Sequence, residues 1–346
     1  MHSTTTIAVD LAKSVFQIAV SQQPGKVSES HRLTRGRFLR FFAERQPALV
    51  VLEACGTAHF WAREIQALGH QVRLLPPHEV RGYVHRNKTD RADAEALLEA
   101  HRNARIRCVP VKSVTQQAIT ALHRLRSAWM ADRIGRINQV RGLLRELGFP
   151  IPVGARHVVA GVSALLREDQ LPEVLRPALE EAKREIGEFD RRIKEVEQQL
   201  RAVAAQMPVV KRLQSIPGVG LLTSTALAVF VGDIQRFASG RHFASYLGLT
   251  PREHSSGLRR RLGSINKAGD AYLRTLLISG ARSVLIAAQR CKLEQPPDRL
   301  RRWALQVQRL RGQNRAAVAV ANKLARIVWA VWRNDTSFQP RAVAAR

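Results

Sequence analysis

The stretch "TTIAVDLAKSVFQIAV", residues 5–20, decides the fold. Ile7 and Val9, then Phe16, Ile18 and Val20, fall at alternating positions on either side of a short polar turn, which is the period of half-buried strands. It predicts a hairpin whose first strand ends on Asp10. Outward from it, "KVSESHRL" (26–33) predicts a third strand and "RFLRFFAERQ" (37–46) a helix. "ALVVLEA" (48–54) predicts a short apolar strand ending on Glu53. A helix at "TAHFWAREIQALG" (57–69), a strand at "QVRLLPP" (71–77) and a helix carrying Asp90 and Asp93 complete the pattern. Strands alternating with helices after an initial meander make a mixed α/β domain, placed at 1–110.

From about residue 113 the period changes. Leu122, Leu125, Trp129, Ile137, Leu144 and Leu147 suit one long amphipathic helix. Leu175, Leu179, Ala182, Ile186, Phe189, Ile193, Val196, Leu200 and Val203 then recur at spacings of four and three, a heptad seam. A helical hairpin or coiled coil is expected over 111–206, broken at "GFPIPVGARHVVAG" (148–161), with its stripe spent inside the chain or on another protomer. A mostly helical C-terminal domain at 207–335 and a flexible tail at 336–346 follow. "SIPGVGLLTSTALAV" (215–229) sets Gly218 and Gly220 between two apolar helical stretches, like a helix-hairpin-helix element. Glycines there let a backbone approach a phosphate and offer it the amides of the next helix.

The 346 residues hold 56 Lys plus Arg against 28 Asp plus Glu, a net charge of +28 that asks for a polyanionic partner. Residues 207–346 concentrate it, with 24 basic and 6 acidic side chains. A membrane is the weaker reading: the most span-like run, 316–332, contains Lys323 and Arg326, and the N-terminus lacks a signal peptide's pattern. The expected location is cytoplasmic. Cys55, Cys108 and Cys291 show neither metal-ligand spacing nor pairing.

In so basic a chain the acids at strand ends and on the last of these helices stand out. Asp90 and Asp93, three apart, share a helix face. With Asp10 and Glu53 they form an all-oxygen set that a hard divalent cation such as Mg²⁺ would reconcile, and such ions support in-line phosphoryl displacement. Taken singly, Asp90 also reads as an N-cap with Asp93 its capping-box partner, and Asp10 as a turn former.

"IAVDLAKSVFQIAV", "LVVLEACGTAHFW" and "KTDRADAEAL" resemble the RuvC-like, ribonuclease-H-fold domain of the DEDD transposases. These are the one-hundred-and-ten family of bacterial insertion sequences, with the related Piv DNA invertase. "SIPGVGLLTSTALAVFVGD", "RHFASYLGLTPREHSSG" and "INKAGDAYLRTLL" resemble that family's C-terminal domain. The resemblance implies that Asp10, Glu53, Asp90 and Asp93 hold metal. It also implies that Ser256, the serine before Gly257, is a nucleophile forming a covalent phosphoserine link to DNA, with Ser255 its neighbour. From composition, Arg259, Arg260, Arg261 and Lys267 are phosphate-binding candidates beside that serine. The family further implies donor and target DNA, a noncoding bridge RNA, and a dimer or tetramer in which one protomer's quartet meets another's serine. The alternative is a RuvC-like junction nuclease using water.

Overall fold

The computed structural model describes residues 5–84, 89–167, 171–291 and 298–340. It divides into two compact units, Met1–Gln117 and Ala118–Arg346. The tail residues 341–346 lie outside the described set.

In the first unit the elements run β1 (Thr6–Asp10), β2 (Val15–Ser21), β3 (Glu29–Thr34), α1 (Arg35–Ala43), β4 (Leu49–Glu53), α2 (Ala58–Ala67), β5 (Gln71–Leu75), a single turn α3 (Pro77–Val80) and α4 (Asp90–Ala100). They build one mixed sheet of order β3-β2-β1-β4-β5. β1, β2 and β3 form an antiparallel meander, and β1, β4 and β5 run parallel. The alternation seen in the sequence sorts the two faces. Ile7, Val9, Phe16, Ile18, Val50 and Leu52 enter a core with α1 and α2, while Ala8, Ala19 and Val51 face α4. The first core is aromatic: Phe16 meets Phe38 edge-on at 4.4 Å and Trp61 at 5.3 Å. The second is lined by alanines, so α4 lies close against β1 and β2.

The second unit opens with α5 (Val114–Glu146, its first turn belonging to the first unit), α6 (Arg156–Leu165) and α7 (Arg176–Ala205). Arg126 pairs with Glu197 at 2.7 Å, Arg133 with Asp190 at 2.6 Å and Arg136 with Glu185 at 2.6 Å. The partner number falls as the first rises, so α5 and α7 are antiparallel. The α7 stripe is spent inside the chain: Leu179, Ala182 and Ile186 pack with Ile137, Val140 and Leu144 of α5, and Val196 and Leu200 with Ile119. Two expectations need correction. The break at 148–161 already holds the start of α6, because Val158 and Val162 complete the apolar end of the hairpin. Leu125 of α5 and Leu147 just past its end are exposed, and the buried row of α5 includes Thr120 and His123.

There follow α8 (Pro208–Gln214), α9 (Leu221–Val231), α10 (Gly240–Tyr246), β6 (Pro251–Glu253), β7 (Leu262–Ile265), α11 (Ala271–Gln289), α12 (Arg299–Arg311) and α13 (Gln313–Arg333). α11 is long and apolar enough to cross a membrane, but Leu273, Leu277, Ala281, Val284 and Leu285 bury it among α9 and α13. Gly218, at φ +82°, lies against α11: a Cβ there would stand 2.6 Å from the Gly280 carbonyl oxygen, and one on Gly280 would stand 2.0 Å from that of Gly218. This glycine is used for backbone packing inside the chain. Gly220, exposed at the N-cap of α9, faces open space.

Candidate active site

Asp10 closes β1 and Glu53 closes β4. Ala8 pairs with Val51 and Val9 with Leu52, so one step further along the parallel strands Asp10 stands beside Glu53, roughly a strand spacing of 4.8 Å away. Side chains alternate between faces along a strand. Since Val9 and Leu52 face the aromatic core, Asp10 and Glu53 turn to the α4 side. There Asp93, half-buried, lines an open cleft together with Glu53, Pro77, Val80, Arg81 and Val84.

Asp90 is the first residue of α4 and exposed. Thr89 holds the cap, its hydroxyl accepting from the Ala92 amide at 3.2 Å. The capping-box account of Asp90 and Asp93 therefore fails, and Asp93 is the fourth residue of the helix. Both acids lie in the first turn, where the helix dipole favours negative charge.

The fold thus brings Asp10, Glu53 and Asp93 to one side of the sheet at its strand ends, with Asp90 one turn away and outward. Among the described residues no three His, Cys, Asp or Glu side chains converge closely enough to hold a metal ion. Asp10 and Glu53 each make a further interaction. The donor chemistry, carboxylate oxygen throughout, fits a hard cation; a three-ligand cluster is not formed. Arg81, which shares the cleft with Glu53 and Asp93, has no signature in the sequence.

The serine lies in the second unit, on the hairpin of β6 and β7. Gly248 and Gly269 root that hairpin: at φ +71° and +74°, they let the chains before and after it touch, and a Cβ on Gly269 would stand 2.0 Å from the Tyr246 carbonyl oxygen. Arg274 ties the root by donating to the Ala268 and Leu247 carbonyls at 3.0 and 3.2 Å. Lys267, with a left-handed φ of +58°, belongs to the same root. At the far end Ser256 and Arg259 bridge across the turn Gly257-Leu258.

The two serines differ in their bonding. The Ser255 hydroxyl donates to Glu253 Oε1 at 2.7 Å and accepts from the Arg261 amide at 3.1 Å, so it is committed to holding the hairpin. The Ser256 hydroxyl is exposed and has no hydrogen-bond partner among the described residues. Arg260 lies 3.6 Å from Glu253, and Arg259 and Arg261 have no carboxylate partner among the described residues. The Glu253–Ser255 brace, Arg274 and the glycine root were not singled out from sequence. A hydroxyl two residues from a carboxylate in a hairpin is the pattern that marks the brace.

An α/β unit with carboxylates at its strand ends, followed by a strongly basic helical unit, suits a class of enzyme: one that acts on the phosphodiesters of nucleic acid. Comparison with known proteins gives the family. Residues 7–149 match a DEDD-type profile described as "Transposase", and residues 210–295 match "Transposase IS116/IS110/IS902 family". A "Probable family 20 transposase" of Pseudomonas aeruginosa is 42% identical over 340 residues, covering 96% of this chain and 98% of that protein. The transposase for insertion sequence element IS1111A of Coxiella burnetii is 36% identical, covering 98% and 92%. A pilin gene-inverting protein of Moraxella lacunata is 34% identical over 130 residues, 37% of this chain and 38% of that protein. The chain belongs to the IS116/IS110/IS902 transposase family and is a DNA transposase.

Proposed function

We propose that this transposase is an RNA-guided DNA recombinase with a RuvC-like catalytic unit, and that it cuts and rejoins strands through a phosphoserine. The Ser256 hydroxyl gives up its proton as its oxygen attacks a DNA phosphorus, the bond from phosphorus to the leaving strand breaks, and that strand's oxygen takes up a proton in exchange and departs as a hydroxyl. Reversal by a second strand's hydroxyl restores the serine. The energy of the broken phosphodiester is kept in the serine ester.

The observation that carries this reading is the unpartnered Ser256 hydroxyl among exposed arginines, on a hairpin whose other serine is tied down. Arg259, Arg260 and Arg261 hold the phosphate and offset charge as it grows. Asp10, Glu53, Asp90 and Asp93 would hold Mg²⁺, which when bound lowers the pKa of a coordinated oxygen and neutralises phosphate charge. The carboxylates would orient that ion. A dimer or tetramer would let one protomer's quartet serve another's serine, and Gly220 at the α9 N-terminus gives a backbone contact for duplex DNA.

The test is a denaturing gel with end-labelled DNA. Wild type gives a protein-linked band and Ser256→Ala gives none while still binding DNA. Strand cleavage by wild type with no linked band would hand the case to hydrolysis by water.

A further inference from the structure

Leu258 is the most exposed large apolar side chain among the described residues, at 108% of its reference area. It occupies the second position of the two-residue turn Gly257-Leu258, with Gly257 at φ +54° in the first. Such turns place no demand for leucine there; Asn, Ser or Asp satisfies the backbone and the solvent better. A leucine left in water keeps apolar area exposed that burial would favourably remove. Something outside the chain is therefore the natural cover for this side chain.

Its surroundings say what that is. Arg259, Arg260 and Arg261 follow at once and are exposed, and the acid of the hairpin, Glu253, closes β6 and is engaged by Ser255 and Arg260. A cationic tip carrying one aliphatic side chain complements a surface with phosphates outside and apolar base faces within. A two-stranded ribbon fits a DNA groove, and apolar side chains inserted between base pairs part the stack and bend the duplex.

We infer that Leu258 is a wedge that enters a base step of duplex DNA beside the phosphate attacked by Ser256. The inference rests on the proposed role of Ser256. Ser256 and Leu258 are two residues apart across a tight turn, a separation below the roughly 6.6 Å of extended chain, so the parted step lies within about two base steps of the reacting phosphate. Parting it frees the phosphodiester from the stacked backbone and favours pyrimidine–purine steps, which unstack most readily.

The experiment uses the full chain and short duplexes in which 2-aminopurine replaces adenine at TA steps, so that unstacking raises fluorescence. At saturation the wild type raises the signal, Leu258→Phe keeps the rise, and Leu258→Ala loses it while binding the duplex within about threefold of wild type, since phosphate contacts dominate affinity. Leu258→Ala also forms the DNA adduct about tenfold more slowly, and a mismatch at the step restores the rate because it is already unstacked. A merely structural role would not respond to the mismatch. An undiminished rise in Leu258→Ala, or a rate deficit that the mismatch leaves in place, overturns the wedge. So does Leu258-dependent binding to phosphatidylglycerol vesicles without any rise on DNA, which would make the tip a membrane contact. A Leu258-dependent rise in a protein that never forms an adduct keeps the wedge and removes the serine reading.

Discussion

Single side chains decide the chemistry, and their settings rank them. Asp93 is half-buried in the cleft with Glu53, whereas Asp90 is exposed one turn away. Asp93→Asn, Glu53→Gln and Asp10→Asn should each lower strand cleavage by about a hundredfold or more with DNA binding kept, the size seen when a charge-stabilising group is removed. Asp90→Asn should cost less. Equal activity of Asp93→Asn and wild type, or cleavage undisturbed by excess EDTA, would remove the metal reading. Ser255→Ala should retain the adduct, since the Ser255 hydroxyl is occupied by Glu253 and the Arg261 amide; an adduct lost there and kept in Ser256→Ala would move the nucleophile by one residue. One further residue reports on folding alone. His123 is buried, with its ring nitrogens against Tyr272 OH at 3.0 Å and Thr225 Oγ1 at 3.1 Å. Burial, reinforced by Arg126, pulls its pKa down to about 4 from 6.5. The unfolded chain binds the proton first as pH falls, so stability is complete above 6.5 and drains away toward 4, by about 3 kcal/mol at pH 4. Thermal melts from pH 7 to 4 should show that slope, and His123→Gln should flatten it.

Among the elements, the glycine contacts are the least tolerant of change. Gly280→Ala would press a methyl onto the Gly218 carbonyl, and Gly218→Ala adds an unfavourable left-handed φ to a mirror-image clash. Each should destabilise the second unit by about 3 kcal/mol or more, read as a fall in denaturation midpoint. Gly220→Ala meets nothing within 4 Å and should leave the midpoint alone. A weakened affinity for duplex DNA in that variant would support the backbone contact proposed for α9. These elements also show what the sequence discloses. Ile7, Val9, Phe16 and Ile18 announced β1 and β2 because strand alternation is a local property. Asp10 and Glu53 could be marked because each ends an apolar run. Leu125 and Leu147 misled because a long helix shows several apolar rows, and only the partner helix selects the one that is buried. Thr120 and His123 were invisible for the converse reason: a polar residue's burial depends on what packs over it, and His123 is met by hydroxyls of α9 and α11, about a hundred or more residues away along the chain. The close approach of Gly218 to Gly280 and the alignment of Asp93 with Glu53 likewise exist only once distant segments have met.

At the scale of the whole molecule, charge governs behaviour before any site does. With 24 basic against 6 acidic side chains in residues 207–346, nucleic acid will be held mainly through phosphates, and bound counterions will be released on contact. DNA affinity should therefore fall steeply with salt, by about a thousandfold or more between 50 and 200 mM if six or more phosphates are neutralised. Arg259→Gln should reduce the slope of log affinity against log salt by about one, uniformly across DNA sequences. Phosphate contacts position a protein without choosing a sequence, so this charge by itself gives tight and indiscriminate binding. A transposase that selects its sites through such a surface needs the selection from elsewhere, and the guide RNA proposed above would supply it by base complementarity while using up part of the excess positive charge. Purified protein should accordingly carry a discrete RNA species. After complete RNase digestion it should still bind duplex DNA with the same salt slope or a steeper one, because phosphate-binding side chains have been freed, yet lose its preference for the insertion-sequence ends over random DNA. A preference that survives removal of all RNA would place sequence readout in the protein and end the guided reading.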